Sequence, residues 1–197
     1  MSKTVDYYFT ASSPWSYLGH ERFVAIAKQR GASVNVRPVD YGKIFPISGG
    51  LPLAKRAPQR QAYRLVELAR WRDFLGLPLN LQPKFFPAPA EESSLAIIAA
   101  GTSNGAEAAL KLSGALMRAC WAGEENIADA ATVARIAAGC GVAPLSDATR
   151  AAAKAGYDAN TQEAIDRQVF GAPTYLYNGE IFWGQDRLDF LDRALAK

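Results

Sequence analysis

Residues 5 to 9, Val-Asp-Tyr-Tyr-Phe, carry large apolar side chains at alternate positions, which predicts a strand with one buried face. Ser13-Pro14 then supplies a capping residue and a proline in the first helical turn. A helix is predicted from there through Leu18, Phe23, Val24 and Ile26 to about Arg30, where Gly31 stops it and Val34-Asn35-Val36 alternates as a second strand. The chain therefore opens as a β-α-β unit. Its last thirty residues have a different order. Asn178-Gly179 separates two aromatic runs, Thr174 to Tyr177 and Ile181 to Trp183, which is a strong hairpin signal. Leu188, Leu191 and Leu195 then recur at spacings of three and four, giving a terminal helix with one apolar stripe.

Between these ends the pattern is helical and almost free of strand signals. Ala62, Leu65, Val66 and Ala69, then Leu112, Ala115, Leu116 and Ala119, then Val133, Ile136, Ala137 and Cys140 each follow i, i+3, i+4, i+7. Two more helices are predicted, one over Asp147 to Ala155 and one opening near Asn160 and running to about Val169. Proline and glycine at 46 to 58 and 76 to 89 predict loops. The plan is an α/β chain in which β-α-β, a helical insertion and β-β-α follow one another. It is that of a thioredoxin-like domain, residues 1–45 and 165–197, interrupted by an all-helical domain over 46–164. In that arrangement the residues before the hairpin face the start of the first helix, so a site is expected where Ser13 meets Ala172-Pro173.

Composition narrows the chemistry. Lys+Arg 22 against Asp+Glu 19 leaves +3, without a block of one sign, so no nucleic-acid partner is called for and a small-molecule substrate is expected. No apolar run is long enough for a membrane span, and the first residues lack the apolar stretch of a secretory signal, which reads as a cytoplasmic protein. His20 is the only histidine, which removes nearly every zinc site and the histidine-dependent hydrolase triads, so no metal is expected. Cys120 and Cys140 stand far apart in Ala-rich helical patterns, where they read as small apolar residues, and no Cys-x-x-Cys pair exists.

Three segments in register carry a resemblance. Tyr7-Tyr8-Phe9 with Ser13-Pro14-Trp15-Ser16-Tyr17-Leu18, then Val169-Phe170-Gly171-Ala172-Pro173-Thr174, then Phe182-Trp183-Gly184-Gln185-Asp186-Arg187-Leu188 are together similar to the signatures of the 2-hydroxychromene-2-carboxylate isomerases, relatives of the kappa-class glutathione transferases. The resemblance spans the whole chain. It implies glutathione as the cofactor, with Ser13 and Ser16 standing where thioredoxin-like oxidoreductases carry their two cysteines. A serine at a helix N-terminus caps the helix, and it can also donate to a bound thiolate that the helix dipole favours. The resemblance also implies a cis Ala172-Pro173 bond, whose outward backbone groups would pair with an extended peptide. Asp186, in the turn of Trp183, Gly184, Gln185 and Arg187, would hold the α-amino group of the γ-glutamyl end, beside helix amides that take its carboxylate; a capping arrangement with Asp189 is the other reading of the same residue.

The second substrate is expected against the loop from Lys43 to Arg56, with Phe45 for an aromatic ring and Lys55 or Arg56 for a carboxylate, and against Phe85-Phe86-Pro87 on the apolar side. Relatives often carry asparagine where Gly50 stands. The reaction implied is interconversion of 2-hydroxychromene-2-carboxylate and trans-o-hydroxybenzylidenepyruvate by reversible addition of the glutathione thiolate, in a homodimer. Net conjugation, as in the kappa-class transferases, is the nearest alternative. A non-catalytic thioredoxin-like module that binds a peptide at the Pro173 groove is the alternative from a different class.

Overall fold

The computed structural model describes residues 3–197. Four strands form one sheet in the order β2-β1-β3-β4: β1 (Thr4–Phe9), β2 (Ser33–Pro38), β3 (Thr174–Tyr177) and β4 (Glu180–Trp183). β1 runs parallel to β2 and antiparallel to β3, Tyr7 lying opposite Val36 on one side and Tyr175 on the other. β3 and β4 are the hairpin predicted from Asn178-Gly179, and both turn residues take positive φ, 51° and 80°, as a type I′ turn requires.

Helix α1 (Pro14–Gln29) links β1 to β2 and begins as predicted. Ser13 is its N-cap, the Ser13 Oγ accepting from the Ser16 amide at 3.2 Å, and Pro14 sits in the first turn. After β2 come α2 (Tyr41–Ser48), a single 3-10 turn over Leu53–Lys55, α3 (Pro58–Leu75), α4 (Glu91–Trp121), α5 (Ala130–Gly139) and α6 (Asp147–Asp166). A second 3-10 turn, Gln185–Arg187, joins β4 to α7 (Leu188–Leu195). The thioredoxin-like order, β-α-β and then β-β-α around a helical stretch, is the observed one.

The two faces of the sheet bury different partners. Val5, Tyr7, Phe9 and Tyr175 face α1, α7 and the C-terminal half of α4, and share one apolar core with Leu112, Leu116, Met117 and Trp121. Tyr8 and Leu176, on the opposite face, pack with Val39, Tyr41, Ile44, Ala164 and Val169. Leu188, Leu191 and Leu195 are fully buried, so the terminal stripe faces the core as its spacing predicts.

Four expectations change. The loop expected to begin at Pro46 starts inside α2, which Asp40 caps through the Gly42 amide at 2.8 Å and which buries Tyr41 and Ile44. Packing against the sheet outweighs the proline, whose cost in a helix of eight residues is one lost amide. The helices predicted over 147–155 and 160–169 are one continuous helix, α6: Tyr157, Asn160, Thr161 and Ala164 are buried, and these contacts carry the helix through Gly156 and the weak helix formers after it. It ends at Asp166 rather than Val169. On α3 the apolar spacing correctly marks a helix but not its inward face, because Val66 is 46% exposed while the buried side chains are Leu68 and Arg64. Residues 45/46 and 164/165, expected as domain limits, fall within α2 and α6. Among the described residues, no helix is long and apolar enough to cross a membrane.

Candidate active site

The start of α1 opens onto a groove with two lobes. The inner lobe, about 670 Å³, is lined by Ser13, Trp15, Phe45, Gly50, Phe86 and the Phe170–Ala172 segment. The outer lobe, about 590 Å³, is lined by Tyr63, Glu67, Trp71 and the turn from Trp183 to Arg187. Trp15, Arg56, Arg60, Arg64, Ala172 and Trp183 border both. Volumes of this size suit a small organic ligand with an extended tail.

Ser13 is nine-tenths buried but lines the inner lobe, whereas Ser16, four-residue companion of the motif, is fully buried and lines neither. Capping and chemistry do not compete at Ser13. The cap uses one lone pair of Oγ to accept from Ser16, and the hydroxyl proton remains free to donate. The first turn of α1 contains no acidic residue, so the positive end of the helix is not neutralised within it.

The opposing wall is built from the hairpin. The Ala172-Pro173 peptide is cis. The Gly171 carbonyl accepts from the Tyr41 hydroxyl at 2.8 Å and from Thr174 Oγ1 at 2.6 Å, and the Pro173 carbonyl accepts from the Gly184 amide at 2.9 Å. These bonds hold the turn before β3 against both α2 and the end of β4. Trp183 is half exposed and meets Phe170 edge-on at 4.9 Å. Gly184 has φ 104°, ψ 148°, a region closed to other residues, and a Cβ there would run into Asp186 Oδ1. The turn is thereby shaped to present Asp186 at the surface, ion-paired to Arg187 at 3.3 Å. Neither Asp186 nor Asp189 caps α7, whose N-cap is Arg187 without a side-chain bond, so the capping reading of Asp186 is not what the fold uses. Gln185 is buried, its Oε1 accepting from Arg22 Nη1 at 2.9 Å, so its side chain is committed to α1.

The third wall is cationic. Arg56, Arg60 and Arg64 converge on the inner lobe, which has no carboxylate among its lining residues. Arg64 is 9% exposed, stands 5.2 Å from the Phe86 ring centroid and 5.8 Å from that of Trp121, and its Nη2 is buried without a hydrogen-bond partner. Burial, reinforced by the nearby Arg56 charge, pushes its pKa down to about 10, which still leaves it charged near neutrality. Arg56 is shifted down as well, by burial first and Arg60 second. The Arg56 Nε donates to the Leu51 carbonyl at 2.8 Å, which closes the loop across the 3-10 turn of Leu53–Lys55.

Of the residues expected to meet a second substrate, Phe45 and Arg56 line the inner lobe, and Lys55 and Phe85 do not. Lys55 is exposed on the 3-10 turn, and Phe85 is 37% exposed beneath Lys84, its neighbour Phe86 being the one turned to the groove. Arg60 and Arg64 are not among the residues expected from the sequence, whose one signal for them is weak: like charges four apart on one helix, a small local conflict. Gly50 lies under the Phe45 ring, into which a Cβ at that position would run. A side chain there and Phe45 as placed exclude each other.

Other polar groups are occupied elsewhere. His20 is buried between Tyr7 and α4; its Nε2 donates to the Leu110 carbonyl at 3.0 Å, so Nδ1 accepts from the Tyr7 hydroxyl at 3.3 Å, and burial lowers its pKa. Cys120 is buried, which pushes its thiol up to about 12, and neither it nor Cys140 lines the groove.

The groove suits glutathione on its own donor set. A tripeptide with a thiol, two carboxylates and one ammonium would find a hydroxyl at a helix N-terminus, an unpartnered guanidinium nitrogen and a surface carboxylate at Asp186.

Comparison with known proteins places the chain. Residues 4–196 match the model of the DSBA-like thioredoxin domain. A 2-hydroxychromene-2-carboxylate isomerase of Sphingobium xenophagum is 30% identical over 199 residues, covering 99% of both chains. The solved structure of a 2-hydroxychromene-2-carboxylate isomerase superimposes with a TM-score of 0.79 at 29% identity, over 98% of this chain and 94% of that one. Glutathione S-transferase kappa 1 of Caenorhabditis elegans is 32% identical over only 82 residues, 41% of this chain and 36% of its own. With its fold and its full-length likeness in agreement, the chain belongs to the DsbA-like thioredoxin domain family and, within it, to the 2-hydroxychromene-2-carboxylate isomerases.

Proposed function

We propose that the protein is a glutathione-dependent isomerase that interconverts 2-hydroxychromene-2-carboxylate and trans-o-hydroxybenzylidenepyruvate. The observation that carries this reading is the Ser13 hydroxyl, capping α1 with its proton free and lining a lobe that has arginine but no carboxylate in its walls. Glutathione, when bound, would supply a thiolate for reversible addition to the conjugated chain, which makes the double bond single and so free to rotate until elimination restores it.

Ser13 donates to that sulfur, and the α1 dipole favours its charge, together holding the thiol below the roughly 8.5 of a free cysteine. Ala172 offers its backbone to the peptide as an added strand, beside Trp183 and Gly184. Asp186 would hold the α-amino group of the γ-glutamyl end, and Arg187, ion-paired to Asp186 here, would lie beside the adjacent carboxylate. Gln185 contributes through its place in the turn, since its side chain is held by Arg22. Phe45 and Phe86 exclude water and take the aromatic ring, and Arg56 adds positive charge to the wall beside the anionic substrate. A homodimer belongs to the same reading and is supported by Tyr63, Val66 and Phe74, large apolar side chains exposed along α3.

The test is the rate of interconversion, followed by the absorbance of the opened form, with and without glutathione. Acceleration that requires both protein and glutathione is expected. Equal rates with and without the peptide would overturn the proposal.

A further inference from the structure

We infer that Arg64 is a buried receptor for an organic carboxylate, the group that fixes an aromatic oxo or hydroxy acid at the junction of the two lobes. This rests on the proposed function and names the residue that selects its substrate class. The chemistry recognised is a carboxylate, and both the substrate and glutathione carry one.

Arg64 is the residue on α3 that breaks the rule for buried side chains. It occupies the inward face where an apolar residue is expected, one turn before fully buried Leu68, with its Nη2 unpartnered and no ion pair to it among the described residues. A buried guanidinium without a counter-charge carries a desolvation cost, which a carboxylate from outside the chain would offset. The nearest acid on the same helix cannot do so. Glu67 is bonded to Arg70 at 2.6 Å. Asp186, at the far end of the outer lobe, is paired with Arg187.

The surroundings define the partner's shape. Phe86 and Trp121 meet at 4.8 Å between ring centroids, inclined at 50°, and Arg64 lies over both rings, so its planar fork is held by aromatic walls. A fixed fork of this kind takes a carboxylate through two parallel hydrogen bonds, which a lysine cannot reproduce. The neighbouring apolar walls, Phe45, Phe86 and Pro87, suit a ring joined to that carboxylate. Arg56 and Arg60 add positive potential at the entrance, the former already bonded to Leu51 and the latter exposed.

The test compares the parent with Arg64→Met and Arg64→Lys, using benzoylformate and benzoylformamide as probes in the presence of glutathione, and following intrinsic tryptophan fluorescence, to which Trp15, Trp71 and Trp183 in the groove walls and Trp121 beside Arg64 contribute. Glutathione affinity is measured separately by calorimetry. The parent should bind the acid about tenfold to a hundredfold more tightly than the amide. In Arg64→Met that preference should vanish, and the ligand-free variant should melt no lower than the parent because an uncompensated buried charge has gone. Arg64→Lys, which keeps charge and stem, should retain only part of the preference and serves if the methionine variant does not fold. Loss of the acid preference with unchanged glutathione affinity supports a receptor for the substrate's carboxylate. A tenfold or greater loss of glutathione affinity instead supports a receptor for the peptide's carboxylate. An unchanged acid preference and unchanged glutathione affinity in both variants would overturn the inference. None of these readouts requires turnover, so failure of the isomerase reading would show separately, as an absent reaction in a parent that still prefers the acid.

Discussion

Replacing Ser13 by alanine removes two things whose sizes differ enough to be separated. The first is the cap, one bond from the Ser16 amide at 3.2 Å, worth about 1 kcal/mol. For a chain of this size that lowers the melting temperature by roughly 2 to 4 °C. Against a total stability of about 5 to 15 kcal/mol the folded fraction is unchanged. The second is the donor to the sulfur. Losing one preorganised donor to a developing or resting anion costs about a hundredfold to a thousandfold in turnover. The two losses also differ in their dependence on pH. Ser13 favours the deprotonated sulfur, so its removal should raise the thiol pKa of bound glutathione towards roughly 8.5. The deficit in rate should therefore be largest below the parent's thiol pKa and shrink as pH rises past the variant's. The assay is the ultraviolet thiolate absorbance of bound glutathione titrated in parent and variant, alongside turnover at each pH. Ser13→Thr, which keeps a capping hydroxyl, should restore much of both. An unchanged thiol pKa with unchanged turnover in Ser13→Ala would refute the reasoning and leave Ser13 as a cap alone.

Asp186→Asn should weaken glutathione binding by about tenfold to a hundredfold, the value of a charge-assisted contact, while thermal unfolding barely moves, because Asp186 caps no helix and its pair with Arg187 is exposed; equal affinity in calorimetry would remove it from the ammonium site. Replacing Cys120 and Cys140 together by alanine should leave glutathione binding and turnover intact, since both thiols lie outside the groove and burial pushes each pKa up. Loss of binding in a folded double variant would contradict the assignment of the reacting sulfur to the ligand.

What was legible in the sequence was local. Ser13-Pro14 starts a helix and Asn178-Gly179 turns a hairpin because a few neighbouring residues decide each geometry, and the groove lies where the start of that helix meets the residues before the hairpin. Long-range packing was not legible. Pro46 and Gly156 read as breaks, yet Ile44 and Tyr157 are buried and hold α2 and α6 through them. The candidate site divides in the same way. Its motif residues Ser13, Ala172 and Trp183 come together as expected, while Arg60 and Arg64 of the cationic wall come from α3, where apolar spacing suggested that Val66 faced inward and Arg64 does instead. Lys55 and Arg56 are adjacent in sequence and only the second reaches the groove, a distinction set by the 3-10 turn that ends at Lys55.

The central claim is that the groove uses a thiol that is returned unchanged. The direct measurement is the count of free thiol during conversion of 2-hydroxychromene-2-carboxylate with glutathione at a concentration far below that of the substrate. The account predicts many turnovers per glutathione and a total free thiol at equilibrium equal to that at the start. Thiol consumed in proportion to product formed would contradict it and establish a transferase instead.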